Sequence, residues 1–382
     1  MANFKNSILY ISFLNEDIRP GYKNKIHSQC KGFYELGYEC YLFIVKEDCL
    51  CLYKIGENET VINKYPFIKT RNSNERNIKD EFYLFKYFTD CLREIINEFP
   101  INIIYIRRIL PITPRLLSLL KYIKKKSIKI IYEYPTYPWK KELLLGHKYL
   151  FFIVDSLLYK SLIKKVDRIA CYGKYYENNS KYVELMNGID VNNYTLHNLN
   201  NNNYISLIGV AHVAALHGYD KIIRGLSIYY QSNPKVKVFF NIVGPVYPEL
   251  QLEKLTSDLK MDEYVRFYGY STGDYLNELF DKSDIGIDCL ALNRRDDGVC
   301  GSLKSREYLA RGIPFVFAGN LDFMLGKDSN DFILRVTENT NYVNINKIVD
   351  FYHNMKSTPQ SIRKFAENNL SWKEQLSKII EK

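Results

Sequence analysis

No Cys-x-x-Cys pair occurs in the 382 residues, and the eight cysteines (Cys30, Cys40, Cys49, Cys51, Cys91, Cys171, Cys289 and Cys300) are scattered. That spacing supports neither a disulfide framework nor a zinc site and predicts reduced thiols. No apolar run approaches the roughly 20 residues that a bilayer span takes. The greasiest stretch, Tyr149 to Leu158, is interrupted by Asp155 and runs into Lys160, Lys164 and Lys165. It reads as a core helix with a basic end. Met1 to Lys5 lead straight into the strand-like Ile8-Leu9-Tyr10-Ile11 with no signal-peptide apolar region, so a cytoplasmic location is expected. Neither HExxH nor a GxxxxGK[ST] loop is present, and RNP, helix-turn-helix and zinc-finger patterns are lacking too. No internal repeat is evident.

Apolar residues make up 46% of the chain and charged residues 25%, with 33 Tyr and 21 Phe. Such content excludes disorder, and the length predicts two domains. The net charge of +10 suits anionic partners such as phosphorylated metabolites or an acidic membrane face. Acidic residues are interleaved with the basic ones, so nucleic acid is not an expected partner.

Short apolar runs alternate with amphipathic stretches. Strands are expected at Ile8–Ser12, Tyr41–Val45, Ile103–Ile106, Ile128–Tyr132 and Arg168–Tyr172. Helices are expected at Lys25–Leu36, Thr113–Lys124 and about 149–165. Segment 47–80 is polar and gives no clear period. The alternation restarts after the Asn-rich run at 196–203, which is where a domain boundary belongs. It continues with strands at Tyr204–Ile208, Val236–Val243, Val265–Tyr268, Ile285–Cys289 and Phe315–Ala318, and with helices at Tyr219–Gln231, Glu249–Leu259, Thr272–Lys282 and Leu303–Arg311. The pattern predicts an α/β protein with two successive doubly wound units. Such units bind ligands at the carboxyl ends of their strands.

Several segments hold residues suited to chemistry or to a close backbone approach. In the stretch Arg294 to Phe317, Gly298, Gly301 and Ser302 feed a helix bearing Lys304 and Glu307. A glycine-containing loop at a helix N-terminus suits phosphate oxygens, and Glu307 can accept bonds from a ribose. A capped helix with a surface Lys–Glu pair explains the residues equally well. In LIGVAHVAALHGYDKIIRGL a strand ends at Gly209 and a helix starts near Lys221, with His212 and His217 between. A histidine in such a place is more often structural. Glu133 ends a strand and leads into Pro135-Thr136-Tyr137-Pro138-Trp139, whose aromatic rings suit sugar faces. Gly21 lies between the first strand and helix, and Gly244 ends the strand at Val243. Arg107 and Arg108 read either as cleft cations or as solvated charge.

The stretch SLKSREYLARGIPFV resembles the donor-binding helix of retaining GT-B glycosyltransferases in the family-4-like group that builds capsular and other exopolysaccharides. GVA…HGYDK, Glu-Tyr-Pro-Thr-Tyr-Pro-Trp (133–139) and Asn187-Gly188-Ile189-Asp190 resemble further stretches of that group. The resemblance implies two Rossmann-like domains facing a cleft. Residues 1–198 would bind the acceptor, 199–364 would bind the nucleotide sugar, and a helix in 365–382 would pack back on the first domain. It implies a hexosyl transfer with retention, from a nucleoside-diphosphate sugar to a saccharide or lipid-linked saccharide, in surface polysaccharide biosynthesis. A non-catalytic subunit that assists a partner is the alternative.

By that resemblance Gly209, Lys221, Gly244, Gly301, Ser302, Lys304 and Glu307 hold the donor, with Lys221 and Lys304 neutralising the diphosphate. Gly21, Tyr137 and Trp139 meet the acceptor, and Glu133 binds or deprotonates its hydroxyl, unless the donor's own phosphate oxygen takes that proton. The group's second glutamate, eight residues before Glu307, is Val299 here. Either Asp296 or Asp297, or the backbone at Gly301 and Ser302, takes its place. No two aspartates are separated by a single residue, as metal-binding Asp-x-Asp requires. A metal-free reaction with no cofactor is therefore expected, along with a loose peripheral contact at the inner face of an anionic membrane.

Overall fold

The computed structural model describes residues 6–17, 20–67, 78–137, 139, 149–173, 179–198, 203–294, 299–324 and 331–380. The chain divides into two compact units, 1–188 with 372–382, and 189–371. The expected break at 198/199 instead falls inside the second unit. Ile189 and Val191 already belong to that unit's core, and the Ile189 amide donates to the Leu370 carbonyl.

The first unit is built on an eight-stranded sheet in the order β4-β3-β2-β1-β5-β6-β7-β8. Its strands are β1 (Ser7–Asn15), β2 (Glu39–Val45), β3 (Cys49–Ile55), β4 (Thr60–Pro66), β5 (Ile103–Arg107), β6 (Lys129–Tyr134), β7 (Arg168–Tyr172) and β8 (Tyr182–Leu185). From β2 to β8 neighbouring strands are parallel, whereas β3 and β4 form an antiparallel extension in the segment that lacked periodicity. Helix α1 (Pro20–Glu35) covers one face together with α11 (Trp372–Ile380), through Ile26, Cys30 and Phe33 beside Trp372, Leu376 and Ile379. Helices α2 (Ile78–Glu98), α3 (Pro114–Lys125) and α4 (Tyr149–Lys165) cover the other. α3 begins where Thr113 caps it and Pro114 presets the first turn.

The second unit has a six-stranded parallel sheet in the order β11-β10-β9-β12-β14-β16. Its strands are β9 (Tyr204–Val210), β10 (Lys237–Val243), β11 (Val265–Gly269), β12 (Ile285–Ile287), β14 (Phe315–Ala318) and β16 (Ile333–Val336). A separate short pair joins β13 (Val299–Cys300) to β15 (Asn320–Leu321). α5 (Tyr219–Gln231), α6 (Leu252–Asp258) and α9 (Ile345–Asn354) pack on one face, and α7 (Gly273–Asp281), α8 (Leu303–Arg311) and α10 (Pro359–Leu370) on the other. Both sheets are wound on two faces. The expected helix over 365–382 is two helices: α10 stays in the second unit, and the chain breaks at Ser371 so that only α11 joins the first. Among the described residues no helix is long and apolar enough to cross a membrane.

Candidate functional site

The carboxyl edge of the second sheet gathers most of the residues singled out in the sequence. Asp288, completely buried, directly follows β12. Across from it the chain enters α8 through Ser302. The Ser302 hydroxyl donates to Asp288 Oδ1 at 3.0 Å, and its oxygen accepts from the amides of Lys304 and Ser305 at 3.0 and 3.4 Å. The α8 amides expected to await a phosphate are thus partly taken by their own cap. Lys304 Nζ lies 3.4 Å from Asp288 Oδ1 and 3.8 Å from Cys289 Sγ, with 19% of its side chain exposed. The result is a cation at a helix N-terminus beside a buried carboxylate, with part of its side chain exposed. Such a group can meet an oxyanion.

The loop before α8 is held from behind. Buried Arg306 donates to the Ser302 carbonyl at 2.8 Å and to Asp322 Oδ2 at 2.6 Å, and Gly301 lies against the same Asp322. Glu307 is paired within its own helix: its Oε1 accepts from Arg311 Nε and Nη2 at 3.0 and 2.9 Å, and 23% of its side chain is exposed. Burial pushes its carboxyl up, and Arg311 pulls it the other way. Arg311 itself reaches Thr195 and Asn277 and lies over the Phe280 ring.

Lys221 departs from its expected role. It is 3% exposed, and its ammonium donates to the carbonyls of Leu290 and Glu338 at 3.0 and 2.7 Å. Burial lowers its pKa. It ties together loops that follow β12 and β16. Gly209 is filled from the side, since a Cβ there would come within 2.5 Å of the Tyr219 ring. Gly244 has φ +114°, and a Cβ would meet the Ala211 carbonyl oxygen at 1.9 Å, so only glycine lets the β9 and β10 ends close on each other. His217 Nδ1 accepts from the Ala214 amide at 2.8 Å, a local turn role, and His212 stacks on Tyr247.

Near these loops a cavity of about 370 Å³ is lined by residues that include Gly218, Asp220, Arg224, Lys254, Asp258 and Arg294. Arg294 pairs with Asp220 through both nitrogens, at 2.8 and 2.9 Å. Its basic and acidic side chains balance, and none of the expected donor residues lines it.

In the first unit, Glu133 is fully buried rather than facing open space. Arg107 donates to Oε1 at 2.7 Å, and Tyr105, Gln29 and Tyr10 approach Oε2 at 2.8, 3.0 and 3.3 Å. Burial alone would raise its pKa, but Arg107, Lys25 and the hydrogen bonds hold it below the usual carboxylate range. A carboxylate so engaged cannot take an acceptor proton. Arg108 is likewise a core group, 3.1 Å from Asp155, under Tyr134 and Trp139. Trp139 is 3% exposed and packed among Tyr134, Phe152 and Tyr159, so its ring is not a platform for sugar. Tyr137 is half-buried against Tyr134 and Tyr182. Gly21 falls in the first turn of α1, not in a loop.

Asp296, Asp297 and Gly298 lie outside the described residues, as does the side chain of Val299. Among the described residues no three His, Cys, Asp or Glu side chains gather as a metal set. Sequence reasoning missed Asp288, Arg306, Asp322 and Arg311. For Asp288 the signal was available, because a carboxylate at a strand's carboxyl end had drawn attention to Glu133.

The chain matches no protein-family model, and no curated protein matches its sequence. Solved structures do match over nearly its whole length. Sucrose-phosphate synthase from Thermosynechococcus elongatus aligns with a TM-score of 0.64 at 10% identity, covering 99% of this chain and 98% of that one. A glycosyltransferase from Rickettsia africae ESF-5 aligns at 0.63 and 16% identity, covering 99% and 97%. Anabaena HepE, solved with UDP and glucose, aligns at 0.59 and 11% identity, covering 98% and 99%. At these identities the likeness speaks for architecture, and the architecture of this chain is the GT-B fold.

Proposed function

We propose that the chain is a glycosyltransferase that moves a hexosyl group from a nucleoside-diphosphate sugar to a saccharide or lipid-linked saccharide, with retention and without a metal, in surface polysaccharide biosynthesis. The observation that carries this reading is the half-open cation Lys304 beside the Ser302-capped start of α8, in a chain that follows GT-B structures from end to end. In the transfer, the bond from the anomeric carbon to the diphosphate breaks and a bond to the acceptor oxygen forms. Lys304 and the α8 N-terminus offset the charge that grows on the leaving oxygen. The acceptor proton passes to that phosphate oxygen, a route consistent with a buried Glu133 that is no base. The HepE complex with UDP-glucose makes UDP-glucose the first donor to try.

The inward commitment of Lys221 and Glu133 favours a second reading, a catalytically degenerate GT-B subunit that binds nucleotide sugar or glycan and assists a partner. A panel of UDP-, GDP- and TDP-sugars tests both. One donor should raise the melting temperature by several degrees at saturating concentration, and its transfer or hydrolysis should survive EDTA. Stabilisation without turnover selects the degenerate subunit, turnover abolished by EDTA ends the metal-free mechanism, and no stabilisation by any donor ends the transferase reading and leaves only a glycan-binding subunit.

A further inference from the structure

A buried carboxylate stands beside the cation on which the donor-site reading depends. Asp288 follows β12, which lies between β9 and β14 inside the second sheet. Its Oδ1 accepts from the Ser302 hydroxyl at 3.0 Å and lies 3.4 Å from Lys304 Nζ. Its Oδ2 is buried and has no hydrogen-bond partner among the described residues. Two donors converging on one oxygen suit the ionised form. An ionised oxygen left without a donor in the interior is costly, and such an exception asks for a reason.

The local fold does not need this charge. Ser302 caps α8 through its own oxygen, which accepts from the Lys304 and Ser305 amides. Arg306 holds the Ser302 carbonyl at 2.8 Å and Asp322 at 2.6 Å, which fixes the loop from behind. A neutral acceptor at position 288 could take the Ser302 hydroxyl and the Lys304 ammonium as well. What a carboxylate adds is negative potential at the sheet edge. That potential is felt beyond Lys304: burial first, and then Asp288 among the neighbouring charges, push the Tyr219 and Tyr308 hydroxyls up.

We propose that Asp288 weakens the hold of the α8 N-terminus on a diphosphate, so that the leaving group departs after transfer. The inference rests on the donor-site reading and adds a release function to it. Lys304 brings one positive charge to the site, and the helix end about half of another. A phosphate oxygen bonded to Lys304 is separated from Asp288 by little more than that ammonium, a range at which like charges in a partly buried site repel appreciably. Cations that stabilise the growing charge on the leaving oxygen also hold the finished product, and grip common to ground state and transition state does not raise kcat. Asp288 is a positioning residue in this sense: its effect on the ligand passes through Lys304.

Titration calorimetry of the full chain with UDP, GDP and TDP, and with the matching nucleosides, tests it. Asp288→Asn keeps the shape and an oxygen acceptor and removes the charge. Its affinity for the diphosphate that binds the parent protein should rise at least about threefold at low salt, and the gain should shrink as salt is added. Nucleoside affinity should stay level, and inhibition of turnover by the diphosphate should strengthen by the same factor. Where Asp288→Asn does not fold, Asp288→Ala carries the same expectation. A diphosphate affinity that falls or stays level overturns the proposal and makes Asp288 an anchor alone, as does an equal gain for the nucleoside. Lys304→Ala separates this failure from that of the underlying reading. Unchanged diphosphate affinity in Lys304→Ala, or no diphosphate binding by the parent protein, removes the donor site and the release function together. A loss in Lys304→Ala with no gain in Asp288→Asn removes the release function alone.

Discussion

Lys221 and Lys304 show how little residue type alone decides. Both follow a strand end by a loop and sit in the first turn of a helix, and both are cations at the same sheet edge. Lys221 turns inward and spends its donors on two backbone carbonyls; Lys304 faces Asp288 with part of its side chain in water. Their truncations should therefore differ in kind. Lys304→Ala should weaken donor binding about tenfold or more in calorimetry; the helix keeps its Ser302 cap, and any fall in melting temperature should be that of the buried Asp288 losing its cation. Lys221→Ala should lower the melting temperature, since two buried carbonyls lose a partner at about 1–3 kcal/mol each. The donor affinity of whatever remains folded should be close to normal. The reverse pattern would exchange the roles assigned to the two lysines.

At the level of elements, a charged clamp ties α1 to the β3–β4 hairpin. His27 on α1 places Nε2 2.8 Å from Glu16 Oε2 and Nδ1 2.7 Å from Glu59 Oε2, where Glu59 lies in the β3–β4 turn. Burial by itself would lower the His27 pKa, but the two carboxylates outweigh it and lift it from 6.5 to about 9. A raised pKa stabilises the fold in full below pH 6.5 and loses its effect as pH climbs through about 9. The contribution is no more than about 3 kcal/mol. Between pH 6.5 and 9 the melting temperature should fall in the parent protein and fall less in His27→Gln; equal slopes would remove His27 from the account. The same hairpin marks the limit of what the sequence makes legible. Buried parallel strands such as β5 and β9 announce themselves as apolar runs, and α4, α5 and α8 by period. β4 is an outer strand with most of its residues exposed, so it has no buried face to impose alternation. The site divides in the same way. Its strand ends and the α8 loop are local and readable, whereas the burial of Glu133 depends on Tyr10, Gln29 and Tyr105, which no spacing around 133 reveals.

For the whole molecule, the order of the chain and the order of the fold disagree. The first unit is left at Gly188 and finished only when Trp372 returns. Trp372 is 3% exposed and fits where two glycines leave room: a Cβ on Gly188 would come within 2.6 Å of its ring, and one on Gly32 within 2.8 Å of its own Cβ. Its ring also meets Tyr172 edge-on at 6.3 Å. The last nine-residue helix is thus a core element of a unit whose other elements lie almost wholly in the first half of the chain. Trp372→Ala should cost about 3–5 kcal/mol, the usual range for losing a buried aromatic ring. The loss should be local in structure though remote in sequence. Hydrogen exchange read by mass spectrometry should show lost protection in α1, β8 and α11, while β9, β10 and β12 keep theirs. Equal loss in all strands of both sheets would mean that the two units unfold as one cooperative block. Undiminished protection in α1 would mean that α11 is an appendage and not the closing piece of the first core.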